Sequence, residues 1–435
     1  MAMAGSVNGG QFELVQNERG RVFRVGESPK DLIGLPRWAP IAAAWVVMMM
    51  AGTLEYTFGA VSGLLQHKYG WSDPVTFWLL SVYVVFESFV SYPTGWLRER
   101  GILPARWAAI IGGLLCGVSA YLLLAHASQA WMAYFGYAFL GGIGSGMCYS
   151  TCVNIVNKWY PEAKGFRTGI IDGGWAYGAL PFIIAIGGLG TASGASGLSD
   201  ATVTGFITMQ GIVLTVVIGI AGFFLLDPPK YWWPANVNPL KWSEVAKKNK
   251  LRDLQKNPPA ERQLSTKEMW ATPQAKWLGI QFALFVGSSL FGVSFYYPFA
   301  IHEHLGTVAA VGGFAGFGIA DGVCRALYGK ISEFLGRRQT MTLIYGCNAV
   351  FQALAFVFGV AHNAPLFAIC AVISGGFSGA NFALTPSLVG DYYGESMQAS
   401  NYGTVYAWKA LGGSFAAGFA SFLVGVSYGW GFMFG

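Results

Sequence analysis

The sequence predicts an all-α polytopic membrane protein built as two helical halves, and three observations carry that expectation. Composition is the first: 54% of the 435 residues are hydrophobic and only 11% are charged, where soluble domains carry roughly a quarter charged. The second is a succession of apolar stretches of about 20 residues, the length that crosses a bilayer core as a helix. The third is a short basic signature that occurs once in each half of the chain. The 60 glycines suit helices that approach closely in lipid.

Residues 1–38 are polar and of mixed charge, with no apolar run before a cleavage site, so they are not a signal peptide. They read as a cytoplasmic tail, either disordered or docked on the bundle or on a partner protein. Spans 1 to 6 follow near 39–66, 75–97, 106–126, 130–158, 166–190 and 204–226, and spans 7 to 11 near 275–301, 308–330, 339–361, 365–389 and 400–427. They are apolar on all faces and too long for soluble core helices. The expected organisation is therefore a tail at 1–38, a six-helix bundle at 39–226, a cytoplasmic loop at 227–274 and a C-terminal bundle at 275–435. The chain stops at Gly435, about eight residues into what should be a twelfth span. Eight helical residues cover only ~12 Å of a ~30 Å core. The expectation is a chain shortened before helix 12; the alternative is an eleven-span protein.

Lysine and arginine set the orientation. The tail is basic, as are the turns after span 2 (Arg98, Arg100, Arg106), span 4 (Lys158, Lys164, Arg167) and span 8 (Lys330, Arg337, Arg338), whereas the opposite loops hold only Lys68. The positive-inside rule puts the N-terminus and the central loop in the cytoplasm of a plasma (inner) membrane protein. Residues 240–254, with Trp242, Val245, Leu251 and Leu254 between lysines, form either an amphipathic surface helix or a solvated linker. The net charge of +6 is spread over these loops, which excludes a nucleic-acid surface. The six cysteines lie inside apolar segments without metal spacing, so neither disulfides nor a metal site is expected. No nucleotide loop, HExxH or nucleophile–base pair is present, so no enzyme and no cofactor is expected.

Gly312–Arg338 is the most informative stretch. Asp321 and Arg325 stand four residues apart in an apolar helix and so share one face. Charges there belong to the bundle interior, either on a transport path or as a structural ion pair tying two helices. The helix ends in Gly329, Glu333, Gly336, Arg337 and Arg338. Gly95 and Glu99, followed by Arg100, repeat the spacing after span 2, the mark of related halves. Four further charges interrupt apolar spans: Glu55, Glu87, Asp172 and Lys409. Each costs a few kcal/mol at the bilayer centre. The three acids either bond to neighbouring helices or handle protons, and the two cations suit an anion between them.

The Gly329–Arg338 stretch resembles the helix 8–9 loop signature of the major facilitator superfamily. A closer resemblance, over roughly 39–430, is to the oxalate:formate antiporter family. Its carriers are Gly144–Gly165, Gly169–Phe182, Thr272–Trp277, Cys324-Arg325 and Asn401-Tyr402-Gly403 before Lys409. The resemblance implies a twelve-helix major facilitator fold that moves small carboxylates by alternating access. It implies that Arg325 and Lys409 bind carboxylate, with Tyr56, Tyr149 and Trp175 as aromatic walls. This sequence departs from the pattern with Glu55 at a glutamine position, and Ser378 and Phe382 at two helix 10 aromatic positions. Asp321 four residues before Arg325 is similar to proton-linked monocarboxylate transporters.

The expected function is secondary active transport of a small organic anion, first a monocarboxylate moved with a proton by symport, second anion exchange by antiport. The partners are a small carboxylate, protons and the lipid bilayer, with a protein partner at the tail or central loop left open. Asp321, Glu55, Glu87 and Asp172 are the proton-coupling candidates, and Asp321 is the expected resting counter-ion of Arg325. Trp159, Tyr406 and Trp408 are further aromatic candidates, with Trp159 better suited to an interface anchor. A reading from another class is an accessory subunit that does not transport, which has no need to keep Asp321, Arg325 and Lys409 together.

Overall fold

A computed structural model describes residues 3–7, 10–17, 21–187, 199–241, 247–248 and 252–421. Among them, 10 helices are long and apolar enough to cross a membrane, from Trp38–Tyr56 to Ala364–Tyr393. Span 1 continues past Thr57 as Phe58–Tyr69. Span 11 runs in three pieces, Gln398–Tyr406, Lys409–Gly413 and Ser414–Phe419. The break at 407–408 sets Lys409 beside Tyr406 at the start of a new helical piece. Residues 422–435, where a twelfth span would begin, lie outside the described residues, as does most of the 240–254 segment. The described part of that segment includes Leu254, which is buried against Phe23, Trp233 and Val237.

The tail corrects an otherwise all-α expectation. Met3–Val7, Gly10–Gln16 and Val22–Val25 form strands β1, β2 and β3 of an antiparallel sheet. The sheet does not hang free. Arg24 N donates to Tyr231 O at 2.8 Å, and Trp233 N donates to Arg24 O at 2.8 Å. That pairing takes up edge groups of β3 which would otherwise need another partner. Phe23 packs edge-on against Trp233, with centroids 5.5 Å apart.

The bundles of spans 1–6 and 7–11 meet along two long seams, span 5 against span 8 and span 2 against span 11. Glycine makes the first seam close. A Cβ on Gly165 would lie 2.6 Å from Gly329 O, and one on Gly329 would lie 2.3 Å from Gly165 O. Backbones at that distance leave no room for a side chain, so both positions exclude alanine without separation of the helices. Gly95 approaches Ala399 in the same way across the second seam. The opposite face is closed by spans 1, 2 and 7, where Gly59 meets the backbone of Val293 and Phe77 lies 4.9 Å from Phe295. The bundle is therefore shut at both ends around its centre.

Candidate functional site

At that centre six ionisable side chains are almost fully buried: Glu55, Glu87, Asp172, Asp321, Arg325 and Lys409, none more than 1% exposed. They form two sub-clusters. Arg325 Nε donates to Asp321 Oδ1 at 3.1 Å, and Nη2 donates to Asp321 Oδ2 at 2.9 Å. Nη1 donates to Asp172 Oδ2 at 3.0 Å and to its backbone oxygen at 3.1 Å. Nη2 also donates to the Tyr56 hydroxyl at 2.8 Å, and that hydroxyl donates to Asp321. All five N–H groups of the guanidinium are thereby used. Asp321 alone was the expected counter-ion; Asp172, brought in from span 5 by its glycine contacts with span 8, is a second.

Lys409 organises the other sub-cluster. Its Nζ donates to Glu55 Oε2 at 2.9 Å and to the Tyr406 hydroxyl at 3.2 Å. It lies 2.7 Å from Glu87 Oε2 as an ion pair, although that carboxylate oxygen falls outside hydrogen-bond geometry. Tyr406 donates to the other oxygen of Glu87, and Trp175 Nε1 donates to Glu55 at 3.3 Å. Phe382 joins the two halves of the site: its ring centroid is 4.9 Å from Arg325 Cζ and 5.6 Å from Lys409 Nζ. A ring face between two cations is an electrostatically favourable wall. Tyr149 stacks on Tyr406 at 4.4 Å and shares a hydrogen bond with Tyr402 at 2.9 Å.

The remaining sequence candidates separate. Ser378 is buried, but its hydroxyl donates back to Gly375 O at 3.1 Å and, among the described residues, makes no hydrogen bond to the charged groups. Trp159 donates to Leu226 O at 2.8 Å, and Trp408 stacks on Trp270, so both lie apart from the cluster. Two site residues are not among the sequence candidates: Tyr402, which enters there only within the Asn401-Tyr402-Gly403 stretch, and Gly379. A Cβ at 379 would sit 1.4 Å from Asp321 Oδ1 and 2.6 Å from Arg325 Nε. The small residues around it, Ser374-Gly-Gly-Phe-Ser-Gly379, were the available hint that something large occupies the facing space.

The basic signatures form a second charged layer on the face that carries the N-terminal sheet. Gly336 has φ +98°, a backbone region that favours glycine, and it turns span 8 into span 9. Glu333 Oε1 accepts from Phe166 N at 3.2 Å, and Arg337 Nε donates to Asp391 Oδ2 at 3.0 Å. Lys164 reaches across the halves to Asp391 at 3.2 Å and Glu395 at 2.6 Å, and Arg21 of the tail adds a bond to Glu395 at 2.7 Å. Glu99 accepts from Ser400 N at 3.0 Å. Arg338 is exposed and outside this layer.

Burial alone would raise the Asp227 carboxyl, but Arg98 and Lys158 beside it hold it down to about 2. Burial of Glu395 is likewise outweighed by Arg21 and Lys164, so its carboxyl is lowered. A depressed folded value means that the contribution is complete above the unfolded value and is lost only as pH falls through the folded one. For Asp227 that window runs from the ordinary 3.8 down to about 2. We therefore expect Asp227→Asn to lower the melting temperature by the same amount at pH 7 and at pH 5. A destabilisation that shrinks toward pH 5 would contradict the assignment.

The family model of the Major Facilitator Superfamily matches residues 44–416. The chain belongs to the Major Facilitator Superfamily. It is a multi-pass membrane transporter and not an enzyme. Among curated relatives, it is 22% identical to an oxalate:formate antiporter of Oxalobacter formigenes, over 91% of this chain and 86% of that protein. It is 24% identical to the uncharacterized MFS-type transporter YhjX of Escherichia coli (strain K12), over 86% of this chain and 85% of that protein. The solved human organic anion transporter MFSD10 superposes with a TM-score of 0.59 at 14% identity, covering 90% of this chain and 95% of that one. At that identity the superposition supports the superfamily fold alone.

Proposed function

We propose that this major facilitator carries a small organic anion, foremost a monocarboxylate together with a proton, with Arg325 and Lys409 as the anion-binding groups. The observation that carries the reading is that each buried cation is capped by two carboxylates from the protein itself. Such carboxylates occupy the positions a substrate carboxylate would take. An arriving anion competes for the guanidinium or the ammonium, and the acid it displaces loses its counter-charge.

Charge balance then couples the proton. Four acids sharing two bases leave an excess of two negative charges, and uncompensated buried charge is costly enough that a group neutralises instead. Protons taken up by the acids keep the centre near neutral, and each additional anion requires more. Asp321, Asp172, Glu55 and Glu87 are the groups that hold them, and Tyr56, Tyr149, Trp175 and Phe382 wall the site. The face with the N-terminal sheet is assigned to the cytoplasm on the distribution of lysine and arginine. Anion exchange is the second mode, favoured by the 22% identity to an oxalate:formate antiporter. An accessory subunit without transport would have no use for six buried charges spread over both bundles.

The test is uptake by reconstituted vesicles of labelled formate, acetate, lactate and oxalate, with and without an imposed pH gradient. Accumulation of a monocarboxylate that collapses with the gradient is the expected result. Uptake of none of these acids, or uptake indifferent to both the gradient and a trapped counter-anion, would overturn the reading.

A further inference from the structure

A cavity of about 430 Å³ lies well away from the central cluster, on the face that carries the N-terminal sheet. Its walls come from three sources: the ends of spans 2, 4 and 6, the segment around Gln263 and 395–397, and strand β3 of the tail. It therefore spans both bundles, and it has this form only while they are closed together.

The chemistry of the lining is anionic in its demand. Five basic and three acidic side chains border the cavity. The acids are already committed: Asp227 to Arg98 and Lys158, Glu395 to Arg21 and Lys164, and Glu99 to Ser400. Arg100 and Lys230, both exposed, have no ion-pair partner among the described residues. Deeper in, Arg98 has a fully buried side chain and Asn157 is 0% exposed. Arg98 Nε, Asn157 Oδ1 and Gln263 Nε2 are buried and have no hydrogen-bond partner among the described residues. Buried polar atoms are nearly always paired, and unmet ones call for a bound molecule or water. Tyr231 contributes a half-exposed ring at the mouth.

We propose that this cavity is a regulatory ligand site for an organic anion that joins a phosphate monoester to an apolar or aromatic body. Arg100, which lies over the Trp96 ring at 3.9 Å, and Lys230 have no ion-pair partner among the described residues, and together they match the charge of about −2 that a phosphate monoester carries near pH 7. The buried donors Arg98 Nε and Gln263 Nε2 match its oxygens, the buried acceptor Asn157 Oδ1 takes a donor on the body or a water, and the Tyr231 ring matches the body. Because both bundles supply walls, the ligand binds the closed face better than the open one and shifts the population toward it. Filled, the site slows transport without touching the central cluster. A soluble nucleotide and a phosphatidate headgroup share this chemistry, and the test separates them.

The full-length protein in phosphatidylcholine nanodiscs is titrated with AMP, with adenosine as the uncharged control, and unfolding temperature is read. A parallel series replaces AMP with phosphatidate in the disc. The expected result is a saturable rise with one of the two probes and none with adenosine. Arg100→Ala and Lys230→Ala together should weaken that binding about tenfold or more, at about 1.4 kcal/mol per tenfold. Tyr231→Ala should weaken AMP binding and spare phosphatidate. The same probe should narrow the label-distance distribution across the closed face, measured between spin labels at exposed Ile102 and Leu335. Overturning results are no rise with either probe at millimolar concentration, or an equal rise in wild type and in the Arg100→Ala/Lys230→Ala variant. Circular dichroism of the variants, whose altered side chains are exposed, guards against misfolding. The binding readout uses no transported substrate, so its failure leaves the carboxylate reading standing.

Discussion

Asp172→Asn combined with Asp321→Asn should abolish net uptake driven by a pH gradient while leaving substrate-for-substrate exchange in place. Either change alone should have a much smaller effect. With one acid removed, Arg325 keeps the other: Asp172 at 3.0 Å or Asp321 at 2.9 Å. With both removed, the guanidinium is a buried cation with no counter-ion. Breaking buried pairs in this way costs about 3–5 kcal/mol. An incoming carboxylate relieves that cost, so anion binding should tighten by a hundredfold or more, at about 1.4 kcal/mol per tenfold. The empty carrier, holding a bare cation, should scarcely cross its closed state. Binding is read by ligand-dependent melting, and the two transport modes by counterflow and by gradient-driven accumulation. A double variant that still accumulates substrate under an acid-outside gradient would place proton coupling elsewhere, with Glu55 beside Lys409 the next group to test.

Gly329→Val should produce the second large effect, a carrier trapped open on the face with the N-terminal sheet. A Cβ at this position meets Gly165 O at 2.3 Å and Gly165 C at 2.8 Å. Those are backbone atoms and cannot rotate away, so spans 5 and 8 must part. Parting them also removes the reach of Lys164 to Asp391 and Glu395, which are 3.2 and 2.6 Å away when the seam is closed. Each bundle keeps its own packing, so the protein should still insert and fold. Transport in both modes should fall to a few per cent, and the distance between labels at Ile102 and Leu335 should lengthen. Near-normal turnover would mean that this seam does not have to close during the cycle.

The features legible in the sequence are those set by local spacing. The four-residue interval between Asp321 and Arg325 fixed them to one helical face, and their hydrogen bonds have that geometry. Glu55, Glu87, Asp172 and Lys409 were recognisable as interior groups because lipid exposure is so unfavourable for charge. Which acid meets which base was not legible. Asp172 and Arg325 are 153 positions apart, and Glu55 and Lys409 are 354 apart, so only the docking of the two bundles decides. Gly379 was passed over because a missing side chain gives no chemical signal until the carboxylate facing it is known. The strands of the tail were missed for a related reason. The backbone of β3 is satisfied partly by Tyr231 and Trp233, over two hundred residues away, and a local reading of residues 22–25 contains nothing of that partner.

The account rests on substrate and proton entering one shared site, and proton release or uptake on binding measures that directly. Purified protein in weakly buffered solution is mixed with saturating substrate, and the pH change is read with an indicator dye against a buffer blank. The account predicts uptake of close to one proton for each carboxylate bound, abolished when Asp172 and Asp321 are both asparagine. Binding of the anion with no proton taken up by the wild-type protein would contradict it.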